Sequence, residues 1–143
     1  MNAHRVRYLI VGGYAVGFHA RPRATKDIDV LVDMTVANAR RTRAALLDFL
    51  GSDAPNITEE KLMNPRTLIV LGVEPFRIDV LTTIDGLSSF SAAWKRRAKG
   101  SYGKVPANYI ALDDLIAAKK ASGRPQDLAD VDVLQRATRR ARG

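Results

Sequence analysis

Val11-Gly12-Gly13, then thirteen residues, then Asp27-Ile28-Asp29-Val30-Leu31-Val32: this stretch decides how the chain folds. Upstream, Tyr8-Leu9-Ile10-Val11 reads as a short buried strand halted by the two glycines. Downstream, strand alternation puts Asp27 and Asp29 on one face and turns Ile28, Val30 and Val32 into a core. Two carboxylates held that close repel unless something cationic lies between them. A hard divalent ion with oxygen ligands, Mg²⁺ or Mn²⁺, is the natural resident. Asp79 repeats the pattern in Arg77-Ile78-Asp79-Val80-Leu81. Three acids on two adjacent strands could hold a two-metal site of the kind that moves phosphoryl or nucleotidyl groups. The plainer reading, acids at strand ends facing water, stays open for each of them. Gly12-Gly13 at a strand-to-helix junction lets backbone approach a ligand, and a helix start favours an anion. Alone, two glycines mark only a tight turn. Neither a Walker loop nor a dinucleotide fingerprint is present.

Outward from this stretch the chain reads as alternating strands and helices. A brief helix or turn is expected over 14–20 and a helix over 36–50 capped by Thr35. The latter's predicted inward residues are Val36, Ala39, Leu46, Leu47 and Leu50, with Arg40, Arg41 and Arg43 outward. Residues 51–64 read as loop with a short helical turn, and strands over 67–71 and 76–81 form a hairpin. Ser88 or Ser89 caps a helix to about residue 97, whose stripe is Phe90, Ala93, Trp94 and Ala98. An extended piece follows near Val105, then helices over 112–121, closed by Gly123, and 125–138, opened by Pro125. Leu112, Leu115 and Ile116 form an inward stripe on which Lys119 also falls. A lysine there needs an anionic partner or a route to water. Asp127 sits in the first turn of the last helix, where the helix dipole favours an acid. The fold class is α/β of the mixed α+β kind: a small mixed sheet flanked by helices with a helical C-terminus, one domain over 1–143.

Composition narrows the class further. Hydrophobic residues are 46% and charged residues 27% of 143, with no cysteine, which excludes a disordered tail and a disulfide scaffold. No apolar run reaches the ~18 residues of a membrane span, so no membrane partner and a cytoplasmic protein are expected. The net charge is +8, and it is unevenly spread. Residues 1–90 carry 11 basic and 10 acidic side chains; residues 91–143 carry 12 and 5. The excess lies in Lys95, Arg96, Arg97 and Lys99, and in Arg136, Arg139, Arg140 and Arg142. An acidic site beside a basic half suits a metal-dependent enzyme acting on nucleic acid. A solvated helix face with a basic tail is the plainer account.

Taken together, the glycine pair, the Asp-Ile-Asp-Val element and the later carboxylate resemble the nucleotidyltransferase superfamily that includes DNA polymerase β. Val11-Gly-Gly-Tyr-Ala-Val16 with Arg23-Ala-Thr-Lys-Asp-Ile-Asp29 looks like its branch of AbiEii-type abortive-infection toxins and small bacterial nucleotidyltransferases. Lys119-Lys-Ala-Ser-Gly-Arg124-Pro-Gln-Asp127-Leu-Ala-Asp130 is similar to that branch's downstream motif. The resemblance implies that Asp27, Asp29 and Asp79 hold the metal ions, and that Asp79 helps activate the attacking hydroxyl. It implies NTP binding by Gly12, Gly13, Lys26, Lys119 and Asp127. The expected reaction moves a nucleoside monophosphate from an NTP to an acceptor hydroxyl.

The basic rear half makes an RNA 3′ end, tRNA in particular, the expected acceptor, contacted by Lys95, Arg96, Arg97, Arg136, Arg139 and Arg140. A toxin role with an antitoxin protein as partner goes with the branch. Two alternatives stand beside this: an antibiotic-type small-molecule nucleotidyltransferase, and an antitoxin-like adenylyltransferase that modifies a protein. A non-catalytic binding module with the same fold is a third. His4 and His19, with no cysteine, read as surface or local hydrogen-bonding residues, and Trp94 as core.

Overall fold

The computed structural model describes residues 1–20, 27–51, 53–73 and 76–142. After a 3₁₀ turn at Asn2–His4, strand β1 (Tyr8–Val11) runs straight into helix α1 (Gly12–His19). Strand β2 (Asp27–Val32), helix α2 (Val36–Leu50) and the one-turn helix α3 (Glu59–Leu62) follow. Then come the hairpin β3 (Leu68–Val73) and β4 (Phe76–Leu81), helix α4 (Phe90–Lys95), and the hairpin β5 (Ala98–Tyr102) and β6 (Val105–Tyr109). Helices α5 (Leu112–Ser122) and α6 (Pro125–Arg142) close the chain.

The six strands form one mixed sheet in the order β3-β4-β2-β1-β6-β5. β1 pairs antiparallel with β2 and parallel with β6, while β2 pairs parallel with β4. The two hairpins extend the sheet at both edges. Its middle strands are buried: Leu9, Leu31, Val32 and Val80 are each at most 1% exposed. Each such side chain contributes roughly 1.5–3 kcal/mol through burial. Tyr8, Ile10, Ile28, Val30 and Ile78 turn to one face, where they share an apolar pocket with Ala45, Leu46 and Phe49 of α2. Asp27, Asp29 and Asp79 belong to the opposite face. α1 is tied to the β5–β6 hairpin by rings: Phe18 stacks on Tyr109 at 4.1 Å, and Tyr14 meets Tyr102 edge-on at 5.2 Å.

Three expectations need correction. α2 is rotated from its predicted phase: Val36 and Leu50 are exposed, and the buried face is Asn38, Ala39, Thr42, Ala45 and Leu46. Asn38 is drawn inward because its side chain accepts from the Arg7 N–H and donates to the carbonyls of Arg7 and Asp33, which fastens α2 to the ends of β1 and β2. α4, capped by Ser89, stops at Lys95 rather than near 97, and Ala98 begins a strand. Arg97 leaves the helix to lie over the Trp94 ring at 3.9 Å, and Arg96 makes a two-point bond to Asp114 at 2.9 and 3.0 Å. β5 itself was not expected from the sequence.

Candidate nucleotide-transfer site

Register builds the site. In the antiparallel β1–β2 pair, Val11 lies opposite Asp29, so the chain turns into α1 directly over that carboxylate. In the parallel β2–β4 pair, Asp29 faces Asp79 and Asp27 faces Arg77. The three predicted carboxylates and Gly12 therefore converge on one cleft of about 1050 Å³. On its other side the wall is α5, the turn after it and the start of α6, which contribute Leu115, Ala118, Lys119, Arg124 and Asp127.

Gly12 has two separate reasons to be glycine. Its φ is +68°, and a Cβ built on it would fall on Asp29 Oδ2. The backbone can thus sit against the carboxylate only without a side chain. α1 has no side-chain cap at Val11, so its first amides are available to an anion beside Asp29. Gly12→Ala is expected to cost about 1–2 kcal/mol for the left-handed backbone and, beyond that, to displace Asp29. Thermal unfolding measured beside transfer activity checks it: a Tm within one degree of wild type with full activity would exclude this packing.

The electrostatics centre on Asp29. Burial, then the neighbouring charges of Asp79 and Asp27, push its carboxyl up to about 6, with Lys119 and Arg77 pulling the other way. The face carries more negative charge than its cations offset. Arg77 is the main local counterion: it donates from Nε and Nη2 to the two oxygens of Asp79, both at 2.9 Å, and Nη2 lies 3.2 Å from Asp27 Oδ2. The sequence reading gave Arg77 no role. The same two-residue alternation that exposed Asp79 would have found it.

Lys119 is 9% exposed and lies 3.1 Å from both Asp127 Oδ1 and Asp130 Oδ2. Arg124 Nε donates to Asp127 Oδ2 at 2.7 Å. Burial alone would raise the Asp127 carboxyl. Hydrogen bonds from Arg124, Ser122 and Lys119, with the Lys119 charge, outweigh it and hold the group well below the usual carboxylate range. Asp127 thus lines the cleft with its oxygens engaged by protein cations, and it anchors Lys119 and Arg124 at the rim.

Among the described residues, no group of three or more His, Cys, Asp or Glu side chains is spaced to hold one metal ion. Arg77 lies between two of the three carboxylates. As donors, however, the set suits a hard divalent cation: three carboxylates, no sulfur or imidazole, and an Asp29 whose carboxyl is pushed up by burial and by the charges of Asp79 and Asp27. Asp27, Asp29 and Asp79 are the residues that would hold it.

The predicted nucleic-acid residues stand elsewhere. Lys95, Arg96, Arg97, Arg136, Arg139 and Arg140 are not among the described residues lining the cleft, and Arg136 pairs with Asp132 at 3.1 Å. Among the described residues, the cations that do line it are Arg66, Arg77, Lys119 and Arg124. Gly13 is buried in the first turn of α1. Lys26, predicted to bind nucleotide, lies outside the described residues, as do Arg21 and Arg23. His19 Nε2 meets the Ile110 carbonyl at 2.6 Å and His4 Nε2 meets Asp48 at 3.2 Å, bonds that join distant parts of the sequence. No helix among the described residues is long and apolar enough to cross a membrane.

Residues 1–136 match the model of a protein family described as nucleotidyltransferase of unknown function, DUF6036. A search of curated proteins returns no match.

Proposed function

This chain belongs to that family of nucleotidyltransferases, and we propose that it moves a nucleoside monophosphate from an NTP to the 3′ hydroxyl of an RNA, a tRNA foremost. One observation carries the reading: register aligns Asp29 with Asp79 and sets Gly12 against Asp29, so three carboxylates and an uncapped helix start face one cleft. In this reading the triphosphate runs from the first amides of α1 toward Lys119 and Arg124, both anchored by Asp127. The acceptor oxygen bonds to the α-phosphorus, its proton leaves to a carboxylate of the site, and the bond from that phosphorus to pyrophosphate breaks. A divalent cation, Mg²⁺ or Mn²⁺, supplies charge stabilisation for the entering and leaving oxygens when bound to Asp27, Asp29 and Asp79.

An RNA acceptor is favoured by the +7 balance of residues 91–143, whose Lys95, Lys99, Arg139 and Arg140 are exposed and able to meet phosphates outside the cleft. The test is incubation with labelled NTPs, a divalent cation and total RNA, beside Asp29→Asn. Labelled RNA that disappears in the variant supports the reading. Labelled protein or a labelled small molecule with RNA left blank would overturn the RNA acceptor, and growth arrest on expression that Asp29→Asn relieves is the outcome expected of a toxin.

A further inference from the structure

Arg66 is held in a left-handed backbone, φ 60°, which side-chain-bearing residues rarely adopt. Threonines pin it there. The Arg66 N–H donates to Thr83 Oγ1 at 2.9 Å and the Thr67 N–H to Thr82 Oγ1 at 3.0 Å. The Thr67 and Thr82 hydroxyls both donate to the Asn64 carbonyl, at 3.0 and 2.6 Å. A loop fixed this firmly presents an exposed arginine at the lip of the cleft. Its guanidinium makes no hydrogen bond or ion pair with the described residues.

From Arg66 the chain enters β3, the edge strand, where Val70 lies opposite Asp79 and Leu68 opposite Leu81. Leu68 and Val70 therefore share the face of Asp79, yet they are 55% and 48% exposed. Beside the carboxylates, on the side of β4 away from Gly12, runs an open apolar ledge ended by an unengaged cation. A flat apolar group joined to an anion matches that strip. A polycationic drug does not, because Arg66 would repel it.

We infer that this strip is the acceptor subsite: the last base of a single-stranded RNA rests on Leu68 and Val70, and its terminal internucleotide phosphate pairs with Arg66. The inference rests on the nucleotide-transfer reading and names the acceptor's chemistry within it. The 3′ oxygen is thereby set beside Asp79, where it bonds to the α-phosphorus as its proton and the pyrophosphate leave.

The experiment titrates a short 5′-fluorescent RNA by anisotropy, without NTP or metal, and repeats it with an uncharged methylphosphonate at the last linkage. Arg66→Gly is the variant, since glycine keeps the left-handed backbone and removes only the side chain. Expected are roughly tenfold weaker binding of natural RNA by the variant and a salt slope lower by about 0.7. The methylphosphonate RNA should lose the same factor on wild type and nothing further on the variant, while Arg66→Lys regains part of the loss. Equal affinity of wild type and Arg66→Gly, or an equal methylphosphonate penalty in both, overturns the strip. Labelling of RNA with an unchanged RNA KM in Arg66→Gly overturns the strip and spares the transfer reading. No labelling of any acceptor by wild type overturns that reading, and the strip as an acceptor site with it.

Discussion

Asp29→Asn is expected to abolish nucleotide transfer, by three or more orders of magnitude, and at the same time to stabilise the cation-free protein at pH 7. The two effects share one cause. Asp29 sits partly buried between Asp27 and Asp79, and its carboxyl is pushed up to about 6. Between pH 4 and 6 the folded state therefore holds a proton that the unfolded chain, with an ordinary aspartate, has released. Stability at Asp29 is greatest below pH 4 and is lost as pH rises through 6. Full conversion of that shift gives about 3 kcal/mol; because the group is only partly buried and solvent screens it, about 1–2 kcal/mol is the reasonable share. The variant should melt about 3–6 °C higher at pH 7. Its Tm should also lack the decline between pH 4 and 6 that Asp29 is expected to impose on wild type. Adding Mg²⁺ or Mn²⁺ should raise the wild-type Tm and leave the variant nearly unmoved. A variant that melts lower than wild type at both pH 5 and pH 7 would mean the carboxylates are not in conflict, and the case for a cation among them would lose its energetic basis.

What makes this testable was legible in the sequence only in part. β1, β2 and their acids announce themselves because a strand's alternation is local: Ile28 and Val30 on one side require Asp27 and Asp29 on the other. That Asp79 lies directly across from Asp29 is a register fact, fixed by how β2 and β4 pair over fifty residues of chain, and no local pattern encodes it. Arg77 is an intermediate case. Its face follows from alternation, but an arginine beside an aspartate reads as ordinary surface until the pairing puts Asp27 next to it. The misjudged phase of α2 has a similar origin: an apolar stripe counted by period cannot foresee that Asn38 earns its burial by bonding three backbone groups of β1 and its neighbour strand's exit. β5 was missed because Ala98-Lys99-Gly100-Ser101-Tyr102 carries almost no strand signal of its own. It is a strand because β6 pairs with it and because Gly100 leaves room for the Phe18 ring.

The basic half had the opposite fate. Its charge was plain in the sequence, but its placement was not. Arg96 is engaged by Asp114, Arg97 by Trp94 and Arg136 by Asp132, so part of the +7 is spent inside the fold. Among the described residues, the cations lining the cleft come singly from separate places in the chain: Arg66, Arg77, Lys119 and Arg124. Only folding assembles them, whereas Lys95, Arg96, Arg97, Arg136, Arg139 and Arg140, expected as acceptor contacts, are not among the described residues lining the cleft.

Lys119 is the member of that group on which the fold itself depends, and Lys119→Met is expected to destabilise the protein by about 3–5 kcal/mol. Methionine keeps the stem that packs among Leu115 and Ala118, so the loss isolates the charge. Asp127 and Asp130 are 1% and 3% exposed, and Lys119 forms an ion pair with each at 3.1 Å. Without it Asp127 keeps Arg124, whose side chain is 75% exposed, and Asp130 keeps the Gln126 amide at 3.1 Å among its contacts. Two buried carboxylates would then share much less positive charge, and the α5–α6 junction would bear the cost. Arg124→Gln, by contrast, removes a largely solvated partner and should cost under about 1.5 kcal/mol. The pH dependence separates an electrostatic loss from a packing loss. In wild type the depressed Asp127 carboxyl contributes stability above about pH 4 that is lost as pH falls below it. The gap between Lys119→Met and wild type should therefore narrow steadily as pH falls below 4, where protonation relieves the unpaired acids. Adding Asp130→Asn to Lys119→Met should recover part of the loss at pH 7. A gap that is the same at pH 3 and pH 7 would assign the loss to packing. Denaturant unfolding at both values decides it, and the same variants report on the site, because Lys119 also holds the Asp29 carboxyl down: removing it should push that group above 6 and raise the pH at which the carboxylates can accept a cation.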